Sequence, residues 1–185
     1  VSKQLPMRNL SLSPKGIPLL VACPSCMLRL KQSYHQIKGD GQLRKEYEKN
    51  WGEFDDNLEI IHFFEIFERI NLEDYVDNPK EKLKYIKVAP YYGCMLYTPP
   101  DLRFGKSYYG IIEKSLESLG AQMIQYGYST KCCGTYLSVA KPIIAENVVN
   151  LVVSKAMEAG AECIVTACSM CHLNLEIRCT VKNPI

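Results

Sequence analysis

Two stretches of this chain repeat each other, and the repeat narrows the folds open to it. Residues 17–30 read IPLLVACPSCMLRL, and residues 162–175 read ECIVTACSMCHLNL. Ala22 aligns with Ala167, Cys23 with Cys168 and Cys26 with Cys171, all at one offset of 145 residues. In each copy a short apolar, β-prone run ends at the first cysteine. A C-x-x-C follows, and then apolar residues at helical spacing. The spacing predicts one strand–loop–helix unit used twice.

The second copy has a readable upstream partner. YIKVAPYYGC is a strand candidate ending at Cys94, and SYYGIIEKSLESLG, Ser107 to Gly120, reads as a helix closed by glycine. AQMIQYGY is a second strand candidate, followed by the loop STKCCG. Pro142 to Gly160 is the strongest helix pattern, with Pro in its first turn and Gly past its end. ECIVTAC is the third strand. Strand, helix, strand, helix, strand predicts a small parallel α/β sheet. Between the repeats, DGQLRKEYEKNWGEF reads as an exposed helix, LEIIHFFEIFERI as a short strand running into a helix, and LEDYVDNPKEKLK as a polar linker. The expected division is residues 1–80, a partial first module with a charged linker helix, and residues 81–185, a complete second module.

Bulk composition excludes several partner classes. Hydrophobic residues make up 47% of the chain and charged residues 23%, as in a globular protein. The net charge of +2 gives no case for nucleic acid or an anionic membrane surface. The apolar runs are too short to span a bilayer, so no transmembrane segment is expected. The start of the sequence reads as neither a leader nor a transit peptide, and the expected location is the cytoplasm. Nine cysteines are an odd number and too few for a disulfide scaffold. A reducing compartment with a metal or redox role fits them better.

In a parallel α/β sheet, functional groups collect beyond the carboxyl ends of the strands. Here those ends carry Cys94, then Cys132 with Cys133, then Cys168 with Cys171. Adjacent cysteines such as 132 and 133 rarely bond each other, because the ring so closed is strained. Five thiols from three loops therefore converge and reach toward a common acceptor. An iron–sulfur cluster, normally held by cysteine thiolates, is such an acceptor. Zinc is the main competitor, but its closed sites take four ligands and leave one thiol over. A dithiol redox site needs only one C-x-x-C. Gly134 suits either metal, letting backbone approach closely and lending an N–H to a sulfur.

The order Cys94-x37-Cys132-Cys133-Gly134-x33-Cys168-x2-Cys171 resembles the CCG, or cysteine-rich, domain. That domain occurs in the B subunit of heterodisulfide reductase and its sulfur-oxidising relatives, with related domains in some succinate dehydrogenase, glycolate oxidase and lactate-utilisation subunits. YYGCMLYTPP, KCCGTYLSVAKP and CSMCHLNLE are most similar to the heterodisulfide reductase branch, closely over residues 85–176 and more loosely over 7–70. The resemblance implies a non-cubane four-iron, four-sulfur (4Fe-4S) cluster held by Cys94, Cys132, Cys133, Cys168 and Cys171. It also implies cleavage or formation of a disulfide or thiol substrate, with electrons from partner subunits of the complex, ferredoxin-like iron–sulfur and flavin proteins. The sequence carries no G-x-G-x-x-G nucleotide motif, in keeping with electrons supplied by other subunits. B subunits of the family carry two complete modules. By the second module's spacing, the first module's cysteine pair falls about 35 residues before Cys23, ahead of residue 1. The first module is thus expected to be incomplete, the chain being either a fragment or internally initiated product or else carrying a degenerate module, with Cys23 and Cys26 either half of a zinc site or without function.

The remaining candidates have plain readings. Cys163 opens a strand and is expected as a buried core thiol, Cys179 falls at a helix end, and His172 is a surface or cap residue. His35 and His62 are ordinary. The tyrosines of PYYGC and SYYG serve equally as substrate-cleft walls or as core. The charged helix around Trp51 is a solvated face or a contact with a partner subunit. Together these readings describe a heterodisulfide reductase-like oxidoreductase subunit. The alternative is a zinc-binding or electron-transfer assembly subunit with no substrate of its own.

Overall fold

The computed structural model describes residues 4–97 and 105–185. It divides into two compact units, one up to Phe63 and one from Phe64 on. The first unit runs α1 (Gln4–Ser11), β1 (Leu19–Val21), α2 (Pro24–Gly39), α3 (Gly41–Trp51) and β2 (Ile60–His62). β1 and β2 are parallel, with Leu19 opposite Ile60 and Val21 opposite His62. Asp40 separates the two long helices, and its carboxylate accepts the N–H groups of Gln42 and Leu43 at 2.9 and 3.1 Å, satisfying the first turn of α3. Phe54 anchors the core: the rings of Tyr34 and Tyr47 lie 5.1 and 5.4 Å from it, centroid to centroid. Arg44 stacks over Phe54 and forks onto Asp56 at 3.0 and 2.7 Å, holding that carboxyl below its ordinary range. Of α3 only Tyr47 is buried, as a charged, solvated helix requires.

The second unit contains α4 (Ile66–Arg69), α5 (Pro79–Lys82), β3 (Lys87–Tyr91), α6 (Ile111–Ser118), β4 (Gln122–Met123), α7 (Pro142–Glu158), β5 (Cys163–Thr166) and α8 (Ser169–Arg178). Its three strands are parallel in the order β4-β3-β5. α7 buries Ala145, Val149, Val152, Val153 and Ala156, a stripe at helical spacing, against Tyr91 and Leu175. Each buried valine contributes on the order of 1.5–3 kcal/mol. Among the described residues, no helix is long and apolar enough to cross a membrane.

The repeat is present in the backbone. Cys23 precedes α2 with φ −117° and ψ 121°, and Cys168 precedes α8 with φ −120° and ψ 113°. In both, the cysteine carbonyl accepts the N–H four residues on at 2.9 Å, from Met27 and from His172. One local geometry, a strand entering a helix through an extended cysteine, serves both copies.

Several elements differ from the sequence expectation. β3 stops at Tyr91, three residues before Cys94, because Tyr92 and Gly93 turn their N–H groups onto the Ser129 carbonyl at 2.8 and 3.2 Å instead. α6 begins at Ile111 rather than Ser107, since Gly110 enters it in the left-handed conformation, which an α-helix cannot include. β4 is only two residues long. β5 is half-buried rather than buried, and Cys163 with it, because β5 is an edge strand of the sheet. The polar linker contains α5 and joins the second unit, tied by the Leu83 N–H to the Leu119 carbonyl at 3.0 Å. The division therefore falls at Phe63/Phe64, ahead of the boundary at 80/81. Thr98–Pro100 of the YYGCMLYTPP phrase lie outside the described residues.

Candidate metal centre

All three strands of the second unit run in one direction, so the chain leaves them on one edge of the sheet. β3, at the centre, delivers Tyr92, Gly93 and Cys94. β4 leads into the loop with Cys132 and Cys133, and β5 ends two residues before Cys168 at the mouth of α8. Cys133, Cys168 and Cys171 pack in one buried core cluster. Cys94 lies near enough to Cys132 and Cys133 to feel both thiols, and Cys171 near enough to feel Cys133 and Cys168. Cys133, Cys168 and Cys171 are buried at 3%, 5% and 5% exposure inside the packed core, whereas Cys94 is half-buried and Cys132 exposed. The site thus has a closed floor of three sulfurs and an open rim of two. No two of the cysteines are joined in a disulfide.

Two glycines let the sulfurs approach. Gly93 has φ +64°, and a β-carbon there would stand 3.0 Å from the Cys171 sulfur. Gly134 has φ +77°, and a β-carbon there would stand 3.2 Å from the Ala145 α-carbon in the first turn of α7. Its N–H points back to the Cys132 sulfur at 3.3 Å. The CCG triplet is therefore a left-handed turn pressed against a helix.

The cysteine-pair loop is clamped from three sides. Tyr91, fully buried, donates its hydroxyl to the Lys131 carbonyl at 2.7 Å. Asn174 of α8 donates its amide to the Cys133 carbonyl, and its side-chain oxygen accepts the Ser138 hydroxyl at 2.8 Å. Arg178 donates to the Ser138 carbonyl at 2.8 Å. Thr135 sets its hydroxyl 2.9 Å from the Cys133 sulfur and 3.3 Å from the Met170 carbonyl.

The thiols share protons unequally. The hydrogen bond from Cys171 draws the Cys133 thiol down to about 6, outweighing its burial, with help from Thr135. Cys168 is lowered for the same reason. Cys171 itself is pushed far above the ordinary thiol range, because it supplies the proton to both neighbours. Cys94 is pushed up to about 12, by burial first and then by Cys132. Such a set releases its last protons only to something that replaces their positive charge, as metal ions do. Among the described residues, no three His, Cys, Asp or Glu side chains are arranged to hold a single metal ion. The sulfurs instead form a string of contacts, a pair and a trio. Five soft donors, two small-residue approaches and no carboxylate or imidazole in the set fit a multi-iron cluster better than one zinc ion.

Other candidates fall elsewhere. Cys23 and Cys26 lie in the first unit at the repeated strand–helix junction, half-buried and exposed. Among the described residues, no third such side chain joins them in a metal-holding group. Cys179 caps the end of α8. His172 is exposed, 3.3 Å from the Glu176 carboxylate. Tyr91, Tyr92 and Tyr108 are core residues at 0–1% exposure, while Tyr97 and Tyr109 stay half-exposed. Tyr92 caps α6, its hydroxyl accepting the N–H groups of Gly110 and Ile112 at 2.8 and 3.2 Å and donating to Glu113. Sequence reasoning did not single out Gly93, Thr135 or Asn174. Gly93 carried a usable signal, a glycine directly before a cysteine at a strand end; Thr135 and Asn174 carried none.

Residues 88–176 match the family model of the cysteine-rich domain, CCG. The chain is 26% identical over 175 residues to the membrane anchor subunit of the 8-methylmenaquinol:fumarate reductase of Wolinella succinogenes, covering 92% of this chain and 61% of that protein. It is 29% identical over 185 residues to the B subunit of the ferredoxin:CoB-CoM heterodisulfide reductase of Methanosarcina mazei, covering 93% and 60%. A protein of Archaeoglobus profundus, itself named as like the heterodisulfide reductase B subunit, is 26% identical over 183 residues, covering 91% and 60%. The chain thus spans about 60% of the length of these relatives.

Proposed function

Residues 88–176 are a CCG cysteine-rich domain, and on that premise we propose that this chain is an iron–sulfur redox subunit of a heterodisulfide reductase-like complex. The observation that carries the reading is that parallel strands open on one edge onto loops carrying five cysteines, three of them packed in one buried cluster. Cys94, Cys132, Cys133, Cys168 and Cys171 would hold a non-cubane 4Fe-4S cluster. When bound, such a cluster supplies electrons one at a time and an iron that accepts sulfur.

The residues divide the work. Cys133, Cys168 and Cys171, sealed in the core, fix the inner part of the site and exclude water from it. Cys94 and Cys132 leave the outer part open, and a substrate sulfur approaches on their side. The substrate class is a disulfide, or the thiols it comes from: two electrons and two protons convert one disulfide into two thiols. Electrons arrive from ferredoxin-like iron–sulfur and flavin partner subunits.

Anaerobic analysis of the full chain tests this. The expected result is a brown protein with iron and acid-labile sulfide in equal amounts, about four of each. A colourless protein containing zinc overturns it and supports an assembly subunit without its own substrate.

A further inference from the structure

Beyond the neighbouring thiols, backbone N–H groups meet both sulfurs of the cysteine pair, and a side-chain hydroxyl meets the Cys133 sulfur as well. Cys132 is met by the backbone N–H of Gly134 at 3.3 Å, which truncating a side chain does not remove. Cys133 is met by the side-chain hydroxyl of Thr135 at 2.9 Å, which a substitution does remove. Resting on the iron–sulfur reading above, we propose that Thr135 is a positioning residue that raises the reduction potential of the cluster by donating its hydroxyl hydrogen to the Cys133 sulfur.

The geometry supplies the argument. The left-handed turn at Gly134 starts a short 3-10 turn, Thr135–Leu137, closed by the Leu137 N–H on the Gly134 carbonyl at 2.8 Å. That turn fixes Thr135 directly behind Cys133 and beside α8. The hydroxyl has two acceptors in reach, the Cys133 sulfur and the Met170 carbonyl at 3.3 Å. While Cys133 is a thiol it carries its own hydrogen, so it can donate to Thr135, and Thr135 passes its hydrogen on to Met170. A cysteine that ligates a metal has no hydrogen and can only accept. The hydroxyl then has a charged acceptor at 2.9 Å and a neutral one at 3.3 Å, and the charged, nearer one wins. A hydrogen bond to a ligand sulfur stabilises the more negative, reduced cluster and so raises its potential. Cys133 is 3% exposed, and in so dry a place water does not replace a missing donor.

The test uses the full chain with its cluster, purified anaerobically as wild type, Thr135→Val, Thr135→Ala and Thr135→Ser. Iron and sulfide are counted first, then the midpoint potential is read by titration followed by electron paramagnetic resonance. The expected result is full iron in all four. The potential shifts to more negative values in Thr135→Val and Thr135→Ala and stays at the wild-type value in Thr135→Ser. One exchangeable-proton coupling should also vanish from the resonance spectrum of Thr135→Val. An unchanged potential in either iron-loaded variant lacking the hydroxyl overturns the proposal. So does loss of iron or of solubility in both, which would make Thr135 structural. Absence of iron from the wild type would instead overturn the iron–sulfur reading itself, so the two failures are distinguishable.

Discussion

A left-handed backbone costs glycine little, but it costs any other residue about 1–2 kcal/mol. At Gly134 that cost coincides with a second one, because a side chain there meets the backbone of α7 at 3.2 Å. Gly134→Ala should therefore lower the melting temperature by roughly 2–8 °C from the turn alone. It should also reduce cluster loading, since any relief moves Cys133 away from Cys171. Thermal unfolding and iron content check both effects, and an unchanged iron content would remove Gly134 from the site. The adjacent thiols bring a second prediction. Cys132 is exposed and contacts Cys94, while Cys133 is buried and contacts Cys171, so neither can stand in for the other. Cys132→Ala and Cys133→Ala should each lose or rearrange the cluster with far-UV circular dichroism unchanged. Cys179→Ala should keep iron and sulfide in full. Complete retention in either of the first two defeats the proposed ligand set.

At the scale of elements, α8 does more than follow the C-x-x-C. Its Asn174 holds the Cys133 carbonyl and the Ser138 hydroxyl together, in a position only 5% exposed. Asn174→Ala leaves both groups buried without that partner, at a cost of about 1–3 kcal/mol. Hydrogen exchange should rise in residues 132–138 while the α7 amides stay protected; uniform exchange across both would show that the clamp is not local. β3 has a matching role. Tyr91 reaches from the sheet to Lys131 and pins the other end of the same loop. Tyr91→Phe, which keeps the ring, should cost about 0.5–1.5 kcal/mol in unfolding measured by denaturant. β3 and α7 were legible in the sequence because each has a hydrophobic pattern matched to its burial. The ends of β3 and α6 were not, because glycines and tertiary hydrogen bonds end them before the apolar pattern does.

Taken whole, the chain repeats a strand–cysteine–helix junction in two units, but only the second brings further cysteines to it. Iron should accordingly stay at about four per chain, and replacing both Cys23 and Cys26 by serine should leave it unchanged; about eight irons, or a loss on that double substitution, would place a cluster in the first unit. The sequence by itself determined the parallel α/β class, the repeat at an offset of 145 residues, and that the strand ends carry cysteines. These follow from local periodicity and from the rule that parallel strands deliver their loops to one edge. Only the tertiary structure decided that Cys133, Cys168 and Cys171 form a sealed floor and Cys94 and Cys132 an open rim. It alone set Thr135 against the Cys133 sulfur, Asn174 against its carbonyl, and residues 64–80 with the second unit. Burial and hydrogen-bond partners join residues about 40 positions apart, Asn174 to Cys133 and Tyr91 to Lys131. No local pattern encodes which side chain arrives at a sulfur from another element, because that depends on how the helices pack.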